Sequence, residues 1–188
     1  MNRYAWCIAA AYVGLAVVSA GVFLLTTAKW VDYSETQLRF STTTSAYVAS
    51  ANVTSPTSGS RSIDVLWRFE NSGRLPITIA IFQFRLYVDN GSDSRPWYDG
   101  EKLAQEYRTP LSFNLDRFTG LVVPPSGTAD WRWQVNVTAP GDVARILPHS
   151  EDGKYHLVFF DTRIVYYISD VDNRQTLDLS AFVLAVGA

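Results

Sequence analysis

The chain has little of what usually builds a chemical site. Among its 188 residues there is one cysteine, Cys7, and there are two histidines and only three lysines. A lone cysteine excludes an intrachain disulfide, and its place within the apolar N-terminal run excludes a thiolate metal site. Charged residues make up 18% of the chain and the formal net charge is -2, with the thirteen arginines spread along the sequence. No basic field for a phosphate backbone follows from that, so nucleic acid is not an expected partner. Neither a Gly-x-Ser-x-Gly elbow nor a glycine-rich phosphate loop occurs, and no acid, base and nucleophile can be grouped. The expectation is a non-enzymatic protein with no cofactor, and a small-molecule ligand is not indicated.

The candidate metal ligands are few. His149 lies beside Pro148 in a loop and His156 at the start of a strand, neither with a carboxylate at metal spacing, so no zinc or iron site is expected. Asp89, Asp93 and Asp99 share one turn-rich stretch, but their spacing does not match a calcium-binding loop, and they read as solvated carboxylates.

What is present is apolar and aromatic: 47% hydrophobic residues, with Phe, Trp and Tyr at 14%, enough for a packed core. From Tyr4 to Ala28 the sequence YAWCIAAAYVGLAVVSAGVFLLTTA carries no charge over 25 residues. At 1.5 Å per residue such a helix exceeds a hydrocarbon core of about 30 Å. Tyr4 and Trp6 at one end, and Trp30 and Tyr33 at the other, suit the headgroup level. The reading is residues 1–3 in the cytoplasm, 4–28 in the lipid bilayer, 29–35 as a juxtamembrane linker and 36–188 as an extracytoplasmic domain at the cell membrane. A cleaved signal peptide is the alternative, with small-residue sites at Val18-Ser19-Ala20 and Thr26-Thr27-Ala28. A pilin-like filament spine is another, although the basic residue and Gly of such processing sites are missing before the helix.

The rest alternates as strands do. Thr36 to Val53 reads as a first strand or pair of strands, and in Ser62 to Glu70 the residues Ile63, Val65, Trp67 and Phe69 share one face. Ile77, Ile79 and Ile81 give way to Phe82, Phe84, Leu86 and Val88, a change of phase that predicts a bulge or a bend between sheets. Trp131, Trp133, Val135 and Val137 alternate with polar residues, and with Trp67 the two tryptophans read as core. Gly141 to Leu147 is the one helical patch beyond the N-terminus, Tyr155 to Ile168 is a long strand or a pair, and Thr176 to Val186 a final apolar strand. Strands separated by turn clusters, with one short helix, predict a mainly β, antiparallel sandwich of immunoglobulin-like or fibronectin-like type behind a single transmembrane α-helix.

The segments FENSGRLPITIAIFQFRLYVDNG, VPPSGTADWRWQVNV and GDVARILPHSEDGKYHLVFF, in that order, resemble the water-stress and hypersensitive-response (WHy) domain of late-embryogenesis-abundant proteins. The resemblance covers roughly residues 62–186. It implies an immunoglobulin-like sandwich with one helix and no catalytic residues. The Asn-Pro characteristic of that domain is replaced by Asn71-Ser72.

Three surface features remain. Asn52, Asn90 and Asn136 head N-x-Ser/Thr sequons and are candidates for glycosylation. Trp97 and Tyr98, in a proline-containing loop, form a candidate contact loop. Phe182, Val183 and Leu184 lie where the closing strand becomes apolar on both faces, a candidate assembly strand if a neighbouring chain covers it. The expected role is an anchored interaction or structural module with a protein partner or self-assembly. The alternatives are an accessory subunit of a larger membrane complex, packing through Ala9, Ala10, Ala11, Gly14, Ser19, Ala20 and Gly21, or a filament subunit.

Overall fold

The computed structural model describes residues 3–91, 120–169 and 173–187. A helix, α1 (Arg3–Phe40), precedes β1 (Ala46–Thr54), β2 (Arg61–Asn71), β3 (Ile77–Asp89), β4 (Leu121–Val123) and β5 (Gly127–Val137). A one-turn helix, α2 (Pro140–Val143), then leads to β6 (Tyr155–Ile168), β7 (Gln175–Leu179) and β8 (Phe182–Val186). The strands form two antiparallel sheets, β1-β2-β5 and β4-β3-β6-β7, with β8 also on β6.

The helix is longer than its apolar stretch. Its 38 residues span about 57 Å at 1.5 Å each. Residues 4–28 are exposed, apart from half-buried Gly21, and the helix is long and apolar enough to cross a membrane. The linker expected at 29–35 and the start of the strand expected at Thr36 are instead the last turns of this helix, and β1 begins at Ala46 after a 3₁₀ turn, Thr43–Ser45. Tyr33, Thr36 and Phe40, at helical spacing on one face, are all buried in the domain. That burial holds the last turns of the helix, whose Gln37, Leu38 and Arg39 are themselves good helix formers, and the helix ends where the Ser/Thr-rich stretch from Ser41 begins.

The two sheets enclose an aromatic core. Trp67 of β2 has no exposed surface and meets Phe82 at 4.8 Å, Phe159 at 5.4 Å and Phe84 at 5.5 Å between ring centroids, in edge-on or tilted contacts that suit aromatic quadrupoles. Its indole Nε1 finds no acceptor among the described residues. Trp133 is buried as well, whereas Trp131, read as core alongside it, packs against the core beside Phe82 but is only partly buried.

The change of phase in β3 falls where its register with β6 slips, between Ile79 and Ile81 and again between Gln83 and Arg85. The second slip faces Asp161 of β6, which adopts φ 49°, the left-handed conformation of a bulge. That bulge divides the partners of β6: residues 155–159 pair with β8 and residues 162–166 with β7. The single closing strand expected over 176–186 is therefore two short strands, broken at Ser180-Ala181. The helix expected over 141–147 is shorter than its pattern, because Val143 and Ile146 are buried but Leu147 is exposed.

Replacing each tryptophan by alanine ranks the core. Trp67→Ala should cost about 3 to 5 kcal/mol, and Trp131→Ala clearly less because its ring already meets solvent. Chemical denaturation of the detergent-solubilised chain measures both.

Candidate functional site

Where α1 enters the domain, the turn between β2 and β3 closes around it. Thr36 is fully buried, and its hydroxyl donates to the Asp32 carbonyl at 2.7 Å while accepting the backbone N–H groups of Arg74 at 3.2 Å and Leu75 at 3.3 Å. Gly73 makes this approach feasible: a Cβ there would sit 2.7 Å from the Thr36 Cα. The turn itself is held by Asn71, 1% exposed, whose side-chain oxygen accepts the Gly73 N–H at 2.9 Å and whose amide donates to the carbonyls of Leu75 at 2.8 Å and Pro124 at 3.1 Å. Outside this buried ring, Arg74 reaches Asp32 and Glu35, and Arg39 donates to the Ser72 carbonyl. On the opposite sheet Phe40 stands edge-on to Tyr166 at 4.7 Å, and the Tyr33 hydroxyl accepts from Asn173 at 3.1 Å.

This junction is a mechanical coupling. Polar groups of α1 satisfy backbone groups of the domain, and an unbroken helix carries that attachment into the exposed apolar stretch. Nothing in the local sequence announces it except Thr36 and Gly73, which are unremarkable until the turn and the helix meet.

The outer face of the β1-β2-β5 sheet is polar. Arg68 makes a two-pronged ion pair with Asp130, with both bonds at 2.7 Å, and Arg132 another with Asp64. The Arg68 guanidinium's hydrogen bond holds Asp130 below the usual carboxylate range, and that of Arg132 does the same for Asp64. These pairs are exposed, so each contributes little to stability and mainly keeps the face wetted. Asn52 and Asn136 lie exposed on this sheet, and half-buried Asn90 follows β3. By strand register all three sit toward the end of the domain remote from α1, since Asn52 pairs with Asp64, Asn136 with Ser62, and Asp89 with His156. Trp97 and Tyr98 lie outside the described residues, as do Asp93 and Asp99.

One side of the domain leaves two strand edges open. Among the described residues β1 pairs only with β2 and β8 only with β6. Between them runs a groove of about 460 Å³ lined by Ala46, Tyr47, Val48, Leu179, Phe182 and Leu184, among others. The candidate assembly strand divides by face: Phe182 stacks on Phe159 at 5.0 Å and Leu184 packs on the core, while Val183 is 59% exposed.

At the remote end a cleft of about 170 Å³ opens between the sheets beneath α2, lined by Ile63, Leu86, Val135, Val137 and Ile146, with Asp142 at its wall. Beside it the fold gathers residues that sequence spacing keeps apart. Asp89, His149 and His156 each offer a ligating atom, all within 4.8 Å of one another. Sequence reading missed this group because 60 positions separate Asp89 from His149, and only the pairing of β3 with β6 brings them together.

Comparison with family models finds none that matches the chain, and comparison with curated proteins finds no match. Three solved structures are similar in outline. One is a structural-genomics target solved by X-ray crystallography, with TM-score 0.44 and 11% identity over 76% of this chain and 87% of that one. The second is a protein described as ApaA from Bordetella pertussis, with TM-score 0.45 and 12% identity over 75% and 93% of the two chains. The third is a protein from Archaeoglobus fulgidus, with TM-score 0.34 and 11% identity over 74% and 94%.

Two outcomes follow from the junction. Thr36→Val should destabilise the domain by about 1 to 3 kcal/mol in chemical denaturation, because two backbone N–H groups lose their acceptor. Tyr166, 1% exposed, has its ionisation pushed up to about 12, chiefly by burial and then by the neighbouring Tyr33. Its neutral form is thus favoured in the fold, a contribution present below the ordinary value of 10 and lost as pH rises from there through about 12. An alkaline titration followed by near-ultraviolet circular dichroism should show a loss of packing in that window, diminished in Tyr166→Phe.

Proposed function

We propose that the chain is a non-enzymatic, membrane-anchored module that presents its β domain outside the cytoplasm to a protein partner. Residues 4–28 occupy the bilayer and residues 1–3 the cytoplasmic side. The observation that carries this reading is the junction: α1 is exposed and apolar along residues 4–28, then docks Tyr33, Thr36 and Phe40 into the domain core without a break. A soluble protein gains nothing from holding out so long an uncovered apolar helix, whereas a bilayer buries it at about 25 cal/mol per Å² of apolar surface. Orientation rests on Arg3 on one side, against Lys29 offset by Asp32 and Glu35 on the other.

In this orientation the remote end, with the three sequons and the cleft under α2, faces away from the membrane, and the open β1 and β8 edges flank the domain. Asn52 and Asn136 are then accessible to glycosylation, and the β1–β8 groove is accessible to a partner strand or to another copy. Two sheets packed over Trp67, and an Asn71 that organises the turn at the junction, support the narrower reading of an immunoglobulin-like, WHy-type sandwich. An accessory-subunit role has its own support in Gly14 and Gly21, where nothing in the chain lies within 4 Å of an added Cβ, leaving room for a partner helix.

Alkaline extraction of membranes should leave the chain in the pellet with its N-terminal segment intact, and protease added to intact cells should digest the domain. Release by alkali, a terminus after Ala20 or Ala28, or protection until lysis would overturn the reading. Mild-detergent solubilisation then separates the partner classes: a stoichiometric complex with other chains marks the accessory subunit, and long polymers mark the filament.

A further inference from the structure

The group formed by Asp89, His149 and His156 takes no part in the junction or the core. Its members come from two elements and a loop: Asp89 ends β3, His156 stands opposite it near the start of β6, and His149 sits in the loop that precedes β6. The two imidazoles are stacked, with centroids 4.2 Å apart and planes 15° from parallel, and all three residues are half-buried.

Each member is aimed by a partner of its own. His156 Nε2 lies 2.9 Å from Asp152 Oδ2, so a proton held between them leaves Nδ1 with its lone pair. This is the carboxylate–histidine pairing that orients metal-binding imidazoles and raises their basicity. Asp89 Oδ1 accepts the Gly91 N–H at 3.0 Å, which leaves Oδ2 available. Around His149, the residue's own N–H donates to the Lys154 carbonyl at 2.6 Å and the Ser150 N–H to the Asn90 carbonyl at 3.1 Å, tying the loop to the end of β3. The Glu151 N–H approaches His149 Nδ1 at 3.3 Å, a long contact that steadies the ring with little hold on its lone pair. Gly91, at φ 68°, makes room for that ring: a Cβ there would fall 2.6 Å from His149 Nε2.

We propose that Asp89, His149 and His156 bind one divalent first-row transition-metal ion at the end of the domain remote from α1, with Asp152 as the positioning residue for His156. Two imidazole nitrogens and one carboxylate favour zinc over calcium or magnesium, and three protein ligands leave a fourth position for water. Bonds of about 2.0 to 2.2 Å place tetrahedral ligand atoms about 3.4 Å apart. Capture therefore draws ligand atoms that lie within 4.8 Å of one another together by up to about 1.4 Å and splays the stacked rings. The ion would staple the loop after α2 to the end of β3. This inference stands whether or not the chain crosses a membrane.

The test uses the untagged full chain in mild detergent, stripped with a chelator, then dialysed against Zn²⁺ and, separately, titrated with Co²⁺. The expected results are one Zn²⁺ per chain, a rise in the melting temperature, and Co²⁺ d–d absorption of the intensity that a four-coordinate site shows. His149→Ala should abolish the stoichiometric site, and Asp152→Asn, which keeps the shape of the side chain, should weaken zinc binding about 10- to 100-fold. Circular dichroism of each metal-free variant separates loss of the site from loss of the fold. A folded wild-type chain that takes up no stoichiometric zinc overturns the proposal, and so does uptake undiminished in His149→Ala.

Discussion

The contact between Thr36 and the β2–β3 turn sets the relation between helix and domain. A buried hydroxyl with one donor and two acceptor positions has all of them used, by Asp32, Arg74 and Leu75. The turn can approach only because Gly73 lacks a side chain, and it keeps its shape because Asn71 satisfies backbone groups on both sides of it. With this contact in place, Phe40 reaches Tyr166 and Tyr33 reaches the start of β7, so α1 touches both sheets. A flexible linker would leave the domain free to tumble against the apolar helix. A docked, unbroken helix fixes the orientation of the domain relative to its apolar stretch.

The second organising feature is the bulge at Asp161. A long strand paired along its whole length with one partner would need an equally long closing strand, and the C-terminal segment is interrupted by Ser180-Ala181. By adding a residue to β6 at that level, the bulge turns one strand into a template for two short ones, β7 near the helix and β8 away from it. The ion pairs of Arg85 with Asp161 and of Arg163 with Asp178 cluster on the outer surface there, where the irregular ladder meets water. The same arrangement leaves β8 with a free edge opposite that of β1.

The domain is thus polarised from end to end. The end that receives the helix is closed, with its buried hydrogen bonds used up in holding α1. The remote end carries a cleft, the loops around α2, the sequon asparagines and the Asp89–His149–His156 group.

Features that depend on neighbours along the chain could be read from residues alone. The uncharged run from Tyr4 to Ala28 reports an exposed apolar helix whatever follows it, because its polarity is local to the segment. The alternation in β2 and β5 reports strands with one buried face, because side chains alternate across a sheet by covalent geometry, and the change of phase in β3 marked its bulges. Features made by contacts between distant residues could not be read. Thr36 to Phe40, next to a Ser/Thr-rich stretch that reads as a strand, stay helical, with Phe40 packed on Tyr166 of β6 and Thr36 hydrogen-bonded into the β2–β3 turn. Trp131 has the same alternation as Trp133 but lies at the core's rim, since pattern specifies a face and not a depth. The closing segment is one apolar run in sequence and two strands in space, because the break is set by a bulge in another strand. His149 and His156, seven residues apart, meet Asp89 only through the pairing of β3 with β6, which no local pattern in the sequence reports.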